Sequence, residues 1–279
     1  MPEIKSMIIN KVLPNFLVLG AQKAGTTWLY AMLKQHSDIL LTDKKELGFF
    51  DNRKTWNTLK VDGYSDLFNK THADEKLIGD ITPTYFWTSD KYADMYSIDS
   101  FRYETPLRIL ETLGPEVKLI VILRNPILRA ISAYLHHANK CRIDLSTQSI
   151  IDVLPSHGIA NIGMYAANLK EYLKYFDISN IYIGYFEQIK EDKLLFVNKI
   201  LDFLQVPNMS QLEGANTRRQ YSLNYKIIDN ECFLMNDGKI GQKVVCRDDY
   251  DKLISLYQSD VTELKSLLNN TPPWPEFQN

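Results

Sequence analysis

The sequence predicts an α/β fold in three layers, a central and mainly parallel sheet flanked by helices. Three observations predict it. Apolar runs of strand length at 16–19, 77–80, 118–123 and 181–186 alternate with stretches of helical period. Leu119 to Leu123 are apolar without a break, as expected of a central strand covered on both faces. Residues 16–36, FLVLGAQKAGTTWLYAMLKQH, run from a buried strand into a helix through a loop bounded by Gly20 and Gly25. No repeat or low-complexity linker divides the chain, so residues 1–279 are read as a single domain.

The loop carries the chemistry of an anion site. Helix N-termini present backbone N–H groups and a dipole that favours negative charge. Gly20 and Gly25 permit a tight turn, Lys23 adds an ammonium, and Thr26 and Thr27 add hydroxyl donors. The fold is therefore P-loop-like, but the loop departs from the nucleotide-triphosphate pattern Gly-x-x-x-x-Gly-Lys-Ser/Thr. The glycine spacing agrees, yet Thr26 stands where that lysine belongs and Lys23 sits inside the loop.

Composition narrows the class. The 279 residues are 45% hydrophobic and 24% charged, values of a soluble globular chain large enough for a substantial core. A net charge of −2 gives no general basic surface, so nucleic acid is not an expected partner. No apolar run approaches the ~20 residues of a membrane span, and no signal peptide is visible, so the expected location is cytoplasmic. Cys141, Cys232 and Cys246 lack metal-ligand spacing and are expected to be free thiols, although Cys232 and Cys246 flank a turn that a hairpin disulfide could span.

Further along, residues 38–51 read as a loop holding Glu46 between two lysines and a Phe49–Phe50 pair; burial by those rings would raise the carboxyl's pKa and suit it to act as a base. Residues 52–75 read as a short helix with loops. Asp80, Thr82 and Thr84 close the strand at 77–80, at the end where ligands gather in open α/β sheets. PLRILETLG at 106–114 reads as a helix stopped by Gly114. After the strand at 118–123 comes Arg124, then Asn125 and Pro126 as cap and first residue of a helix on which Arg129 and Ser132 share a face. Arg124 and Ser132 can meet over the sheet edge around an anion, or serve as a salt-bridging arginine and a helix filler. Helices are expected at 161–176, 190–204 and 248–270, and 208–249 is the least regular stretch.

GAQKAGTTWLYAML resembles the 5′-phosphosulfate loop of sulfotransferases that use 3′-phosphoadenosine 5′-phosphosulfate (PAPS), closest to the heparan sulfate and related bacterial branch. ILRNPILRAISAY resembles the family's 3′-phosphate segment, and KELGFFD its base-carrying segment, with Gly48 where the family often has histidine. The likeness runs from about residue 14 to 206. It implies donor binding by Gln22, Lys23, Ala24, Gly25, Thr26, Thr27 and Trp28, with Arg124 and Ser132 on the 3′-phosphate and Tyr165 near the nucleotide. Relatives close over the 3′-phosphate with a basic loop, for which Lys239 is favoured over Arg218, Arg219 and Lys243. Lys23 would stabilise the leaving phosphate and Glu46 would be the general base, with Asp80 or His72 as substitutes. Ile81 replaces a family lysine, leaving Asp51, Asp80, Thr82 and Phe86 as the expected acceptor-binding groups. The implied reaction is in-line transfer of a sulfuryl group from PAPS, without a metal, to a hydroxyl or amine of a small-molecule, lipid or glycan acceptor. The alternatives are a P-loop kinase or NTPase and a non-catalytic nucleotide-binding module.

Overall fold

The computed structural model describes residues 11–68, 77–92, 99–214 and 223–278. Five parallel strands form the central sheet: β1 (Phe16–Gly20), β2 (Ile39–Leu41), β3 (Leu77–Ile81), β4 (Lys118–Leu123) and β5 (Ile181–Tyr185). Their order is β2-β3-β1-β4-β5. The expected strands are all present. β2 is an addition, since only three residues pair with β3, Ile39 opposite Leu77 to Leu41 opposite Gly79, and so short a run reads as loop.

Helices cover both faces. α1 (Thr26–Leu33) follows β1, α2 (Arg53–Asp66) and α3 (Thr105–Leu113) follow β2 and β3, and α4 (Pro126–Asn139) follows β4. α5 (Ile150–Val153) and α6 (Tyr165–Leu173) precede β5; α7 (Phe186–Glu191), α8 (Lys193–Leu204) and α9 (Arg247–Leu268) come after it. α1 packs beside α8, while α4 and α6 pack on α9. β1 is buried throughout and Leu119 to Leu123 are at most 1% exposed, as their unbroken apolar character requires. One hydrophobic cluster joins the described residues from Phe16 to Phe277.

The stretch read as irregular contains a second sheet of three antiparallel strands, β6 (Tyr225–Ile228), β7 (Glu231–Asn236) and β8 (Lys239–Val245). Its turns carry a readable signal. Asp229–Asn230 and Asp237–Gly238 all have positive φ, from 48° to 78°, the backbone of two-residue hairpin turns that Asp, Asn and Gly favour. Cys232 is buried and Cys246 exposed; both are free, as is Cys141.

The topology decides where a ligand can sit. β1 lies between β3 and β4; the chain leaving β1 travels toward β2 at one edge, and the chain leaving β4 travels toward β5 at the other. The crevice between the C-terminal ends of β1 and β4 is thus the switch point of the sheet. Both anion motifs of the sequence emerge there.

Candidate active site

The loop after β1 is fixed from three sides. The Ala21 amide donates to the Ile122 carbonyl on β4 at 2.8 Å, and the Ala24 amide donates to the Ala21 carbonyl at 3.0 Å. Gly25 is the N-cap of α1 in the left-handed region, φ 94°, and a Cβ there would stand 3.0 Å from the Phe186 ring. Glycine is therefore required for both conformation and space. The first bond of the helical ladder is Leu29 N to Gly25 O, and no side chain caps the helix, so the first-turn amides of Thr26 and Thr27 lie ahead of the ladder. Gln22 and Lys23 are partly exposed, Thr27 is exposed, Ala24 and Thr26 are buried, and Trp28 leans on Phe196. Gln22 brings a buried Oε1 that has no hydrogen-bond partner.

Arg124 ties the two motifs together. Its Nη1 donates to the Lys23 carbonyl at 3.0 Å and its Nη2 to the Tyr225 hydroxyl at 2.9 Å, while the guanidinium lies 4.9 Å from the centre of the Phe186 ring. Arg124 is 4% exposed, and its Nε is buried with no acceptor. A buried guanidinium N–H without an acceptor is a donor in want of an anion. Arg124 itself lines a cavity of about 320 Å³, together with Leu128, Phe186, Lys190, Asn224 and Tyr225 among others. Ser132 lies buried on α4, two turns beyond Asn125.

The turn carrying Arg124 is heavily braced. Asn125 caps α4 by accepting from the Ile127 and Leu128 amides, as its sequence position suggests. Its own amide donates to Glu187 and its side-chain amide to Glu276, at 3.1 and 2.7 Å. Sequence reasoning missed Glu187, Glu276 and Tyr225, because nothing local marks residues that act across 62, 151 and 101 positions.

Tyr165 and Lys239, the two other expected nucleotide contacts, do not line the Arg124 cavity. Tyr165 is fully buried, and its hydroxyl donates to the Arg124 carbonyl at 2.7 Å, so it supports Arg124 from within. Lys239 is exposed at the β7–β8 hairpin end, opposite Asn236, and does not line the Arg124 cavity. Tyr225 of β6 reaches Arg124 in its place. Arg218, Arg219 and His72 fall outside the described residues.

The expected acceptor-binding residues all lie inside the protein. Asp80 is 1% exposed and accepts from the hydroxyls of Tyr64, Tyr85 and Thr82 at 2.8–2.9 Å. Burial pushes its carboxyl up to about 6 despite those three donors. Asp51, itself buried, pairs with a partly exposed Arg102 at 2.7 Å. Thr82 and Phe86 are equally buried, the latter with its Cβ against Gly20. Their position at the close of β3 put Asp80 and Thr82 at the sheet end where ligands gather, but a strand end does not say which way its polar groups point.

Glu46 is exposed, not partly buried, and pairs with Lys45; its amide donates to the Ile81 carbonyl at 2.9 Å, fixing its segment beside the end of β3. His136, unmarked by any sequence motif, lies one turn beyond Ser132 on α4, half-buried. Burial, followed by the charge of Lys23, depresses its imidazole to about 4, and the Glu46 carboxylate acts in the opposite sense. Among the described residues no group of three His, Cys, Asp or Glu side chains is placed to hold a metal ion, and no helix is long and apolar enough to cross a membrane.

Residues 13–243 match the sulfotransferase domain family. Heparan sulfate glucosamine 3-O-sulfotransferase 5 of Mus musculus is 27% identical over 248 residues, which cover 83% of this chain and 66% of that protein. Heparan sulfate glucosamine 3-O-sulfotransferase 6 of the same species is 28% identical over 200 residues, 68% of this chain and 52% of its own length. The chain thus spans between half and two thirds of these relatives. A sulfotransferase structure from Alicyclobacillus acidocaldarius superposes over 93% of this chain and 97% of its own, with a TM-score of 0.67 and 24% identity, a likeness of fold.

Proposed function

This chain belongs to the sulfotransferase domain family, and on that premise we propose that it moves a sulfuryl group from PAPS to an acceptor hydroxyl or amine. The observation that carries the proposal is the bond from Arg124 Nη1 to the Lys23 carbonyl. It joins a 5′-phosphate loop and a 3′-phosphate arginine across the sheet's switch point, and only a nucleotide with phosphate on both ends of its ribose needs both.

The residues present fit that donor. The first-turn amides and the Thr26 and Thr27 hydroxyls hold the 5′-phosphate at the N-terminus of α1. Arg124, with its unanswered Nε, takes the 3′-phosphate, aided by Ser132 from α4. PAPS, when bound, supplies the sulfuryl group. Lys23 stabilises the negative charge that grows on the departing phosphate oxygen, a contribution of several kcal/mol for a well-placed cation. Glu46 serves on the acceptor side, where it assists removal of the acceptor's proton. The protein's own cations supply the positive charge, so turnover is expected to persist in a chelator. The named activity of the relatives makes a glycan hydroxyl the first acceptor to try.

The test is transfer from sulfur-labelled PAPS across glycan, lipid and small-alcohol acceptors, in the wild type and in Lys23→Ala. Transfer that collapses in the variant supports the proposal. Magnesium-dependent ATP turnover would contradict it and support a kinase or NTPase, and bisphosphate binding without any transfer would support a non-catalytic module.

A further inference from the structure

The cavity beside Arg124 holds a second cation to which the donor reading gives no part. Lys190 lines it together with Arg124, Phe186, Asn224 and Tyr225. Lys190 comes four residues after Phe186 on α7, so the two share a face of that helix, and its Nζ stands 5.4 Å from the centre of the Phe186 ring. The Arg124 guanidinium lies 4.9 Å from the centre of the same ring. Two positive side chains are thus gathered at one ring and one cavity.

Neither charge is answered from within the protein. Among the described residues neither Arg124 nor Lys190 forms an ion pair. The described lining of the cavity contains no carboxylate. Glu187, one turn before Lys190, directs its two oxygens to the Asn125 amide and the Trp274 indole. Arg124 gives Nη1 and Nη2 to neutral oxygens, the Lys23 carbonyl and the Tyr225 hydroxyl, and keeps a buried, unpartnered Nε. The Tyr225 hydroxyl accepts from Nη2, which leaves its own proton for another oxygen. In a chain of net charge −2, a cavity lined by two cations and no acid suits a doubly charged anion.

We propose that Lys190 is the second cation of the 3′-phosphate site and sets the preference for a nucleotide that carries that phosphate. The proposal rests on the donor reading of Arg124. Near pH 7 a phosphate monoester carries about −1.5 to −2 charges and offers three strong acceptor oxygens, so a single guanidinium leaves much of it unanswered. Arg124 Nε meets one oxygen and the Tyr225 proton a second. Lys190 is exposed, and its flexible stem brings the ammonium to the third as a point charge. The cavity's 320 Å³ is at the lower end of small-molecule sites, enough for the phosphate end of the nucleotide. Lys190 acts on binding and not on chemistry. The 3′-phosphate keeps its charge throughout sulfuryl transfer, so its contacts count equally in the ground and transition states, and losing one raises KM without lowering kcat.

The deciding experiment is calorimetric binding of adenosine 3′,5′-bisphosphate and of adenosine 5′-monophosphate, which lacks only the 3′-phosphate. It compares the wild type with Lys190→Met, which keeps an apolar stem over Phe186 and removes the charge, and Lys190→Arg, which keeps the charge. Lys190→Met is expected to weaken bisphosphate binding by about fivefold to thirtyfold and to leave monophosphate binding within about twofold. Lys190→Arg should hold the wild-type preference to within about threefold. Bisphosphate affinity should also fall less steeply with salt in Lys190→Met. In release of sulfate from PAPS to water, Lys190→Met should raise KM by the same factor as it weakens bisphosphate binding and leave kcat as it is. A preference for bisphosphate that survives in Lys190→Met overturns the proposal, as does an equal loss of both nucleotides. A wild type that binds the two nucleotides alike would instead bring down the donor reading itself.

Discussion

Replacing Tyr165 by Phe separates support of the site from contact with the nucleotide. The ring would keep its packing against Trp274 and Phe86, at 5.7 and 6.4 Å between centroids, and only the hydroxyl would go. That hydroxyl donates to the Arg124 carbonyl at 2.7 Å in a fully buried setting. A buried acceptor deprived of its donor costs about 1–3 kcal/mol. At ~2–4 °C per kcal/mol for a chain approaching this size, the melting temperature should fall by about 2–12 °C. The guanidinium, held separately by the Lys23 carbonyl and the Tyr225 hydroxyl, keeps its place. Bisphosphate affinity should accordingly change by less than about fivefold, or ~1 kcal/mol. Thermal melts and calorimetry on the same preparations measure both. An unchanged melting temperature with binding weakened tenfold or more would show that Tyr165 touches the ligand, and the reasoning would fail.

Lys23→Ala should lower turnover by ~10²–10³-fold, the scale of losing one preorganised transition-state donor, with little change in melting temperature. Lys239→Ala should leave bisphosphate binding as it is, whereas Tyr225→Phe, which strips Arg124 Nη2 of its partner, should weaken it by about 1 kcal/mol, or fivefold; calorimetry on the pair decides between the two residues. Asp80→Asn should reduce stability by disturbing three hydroxyl donors while KM for any acceptor stays constant, and a raised KM with intact stability would return Asp80 to the acceptor pocket. Burial, with the neighbouring histidines and Arg142, depresses His137 to about 3, so below its ordinary value near 6.5 the unfolded chain binds the extra proton. Stability should therefore be full at neutral pH and decline as pH falls from about 6.5; Asp80, raised to about 6, works weakly the other way, and His137→Phe should flatten the decline in melts taken between pH 7 and 5.

Much of the fold was legible because it is written in period and punctuation. The unbroken run Leu119–Leu123 announced a central strand, and Asn125–Pro126 announced the helix after it. The three-residue β2 was too short to read, and β6–β8 were hidden by sparse apolar alternation, although their Asp-Asn and Asp-Gly turns were in view. The meeting of the Gly20–Thr27 loop with Arg124, the proposed donor half of the site, was legible for a physical reason. Anion sites at strand ends are built from consecutive backbone, so Gly20–Thr27 and Arg124–Asn125 carry their own geometry. The acceptor half was not. Whether Asp80 faces a ligand or the Tyr64 and Tyr85 hydroxyls depends on how α2, sixteen residues back, and the turn that follows β3 fold over it, which no local pattern fixes.

The most direct test of the central claim is calorimetric binding of adenosine 3′,5′-bisphosphate against ADP and ATP, without added metal, in the wild type and in Arg124→Ala. The account predicts micromolar bisphosphate binding, weak binding of ADP, and loss of the preference in the variant, whose unanswered Nε and two Nη bonds are gone. Binding of ATP in preference to the bisphosphate, or a preference unaffected by removing Arg124, would contradict it.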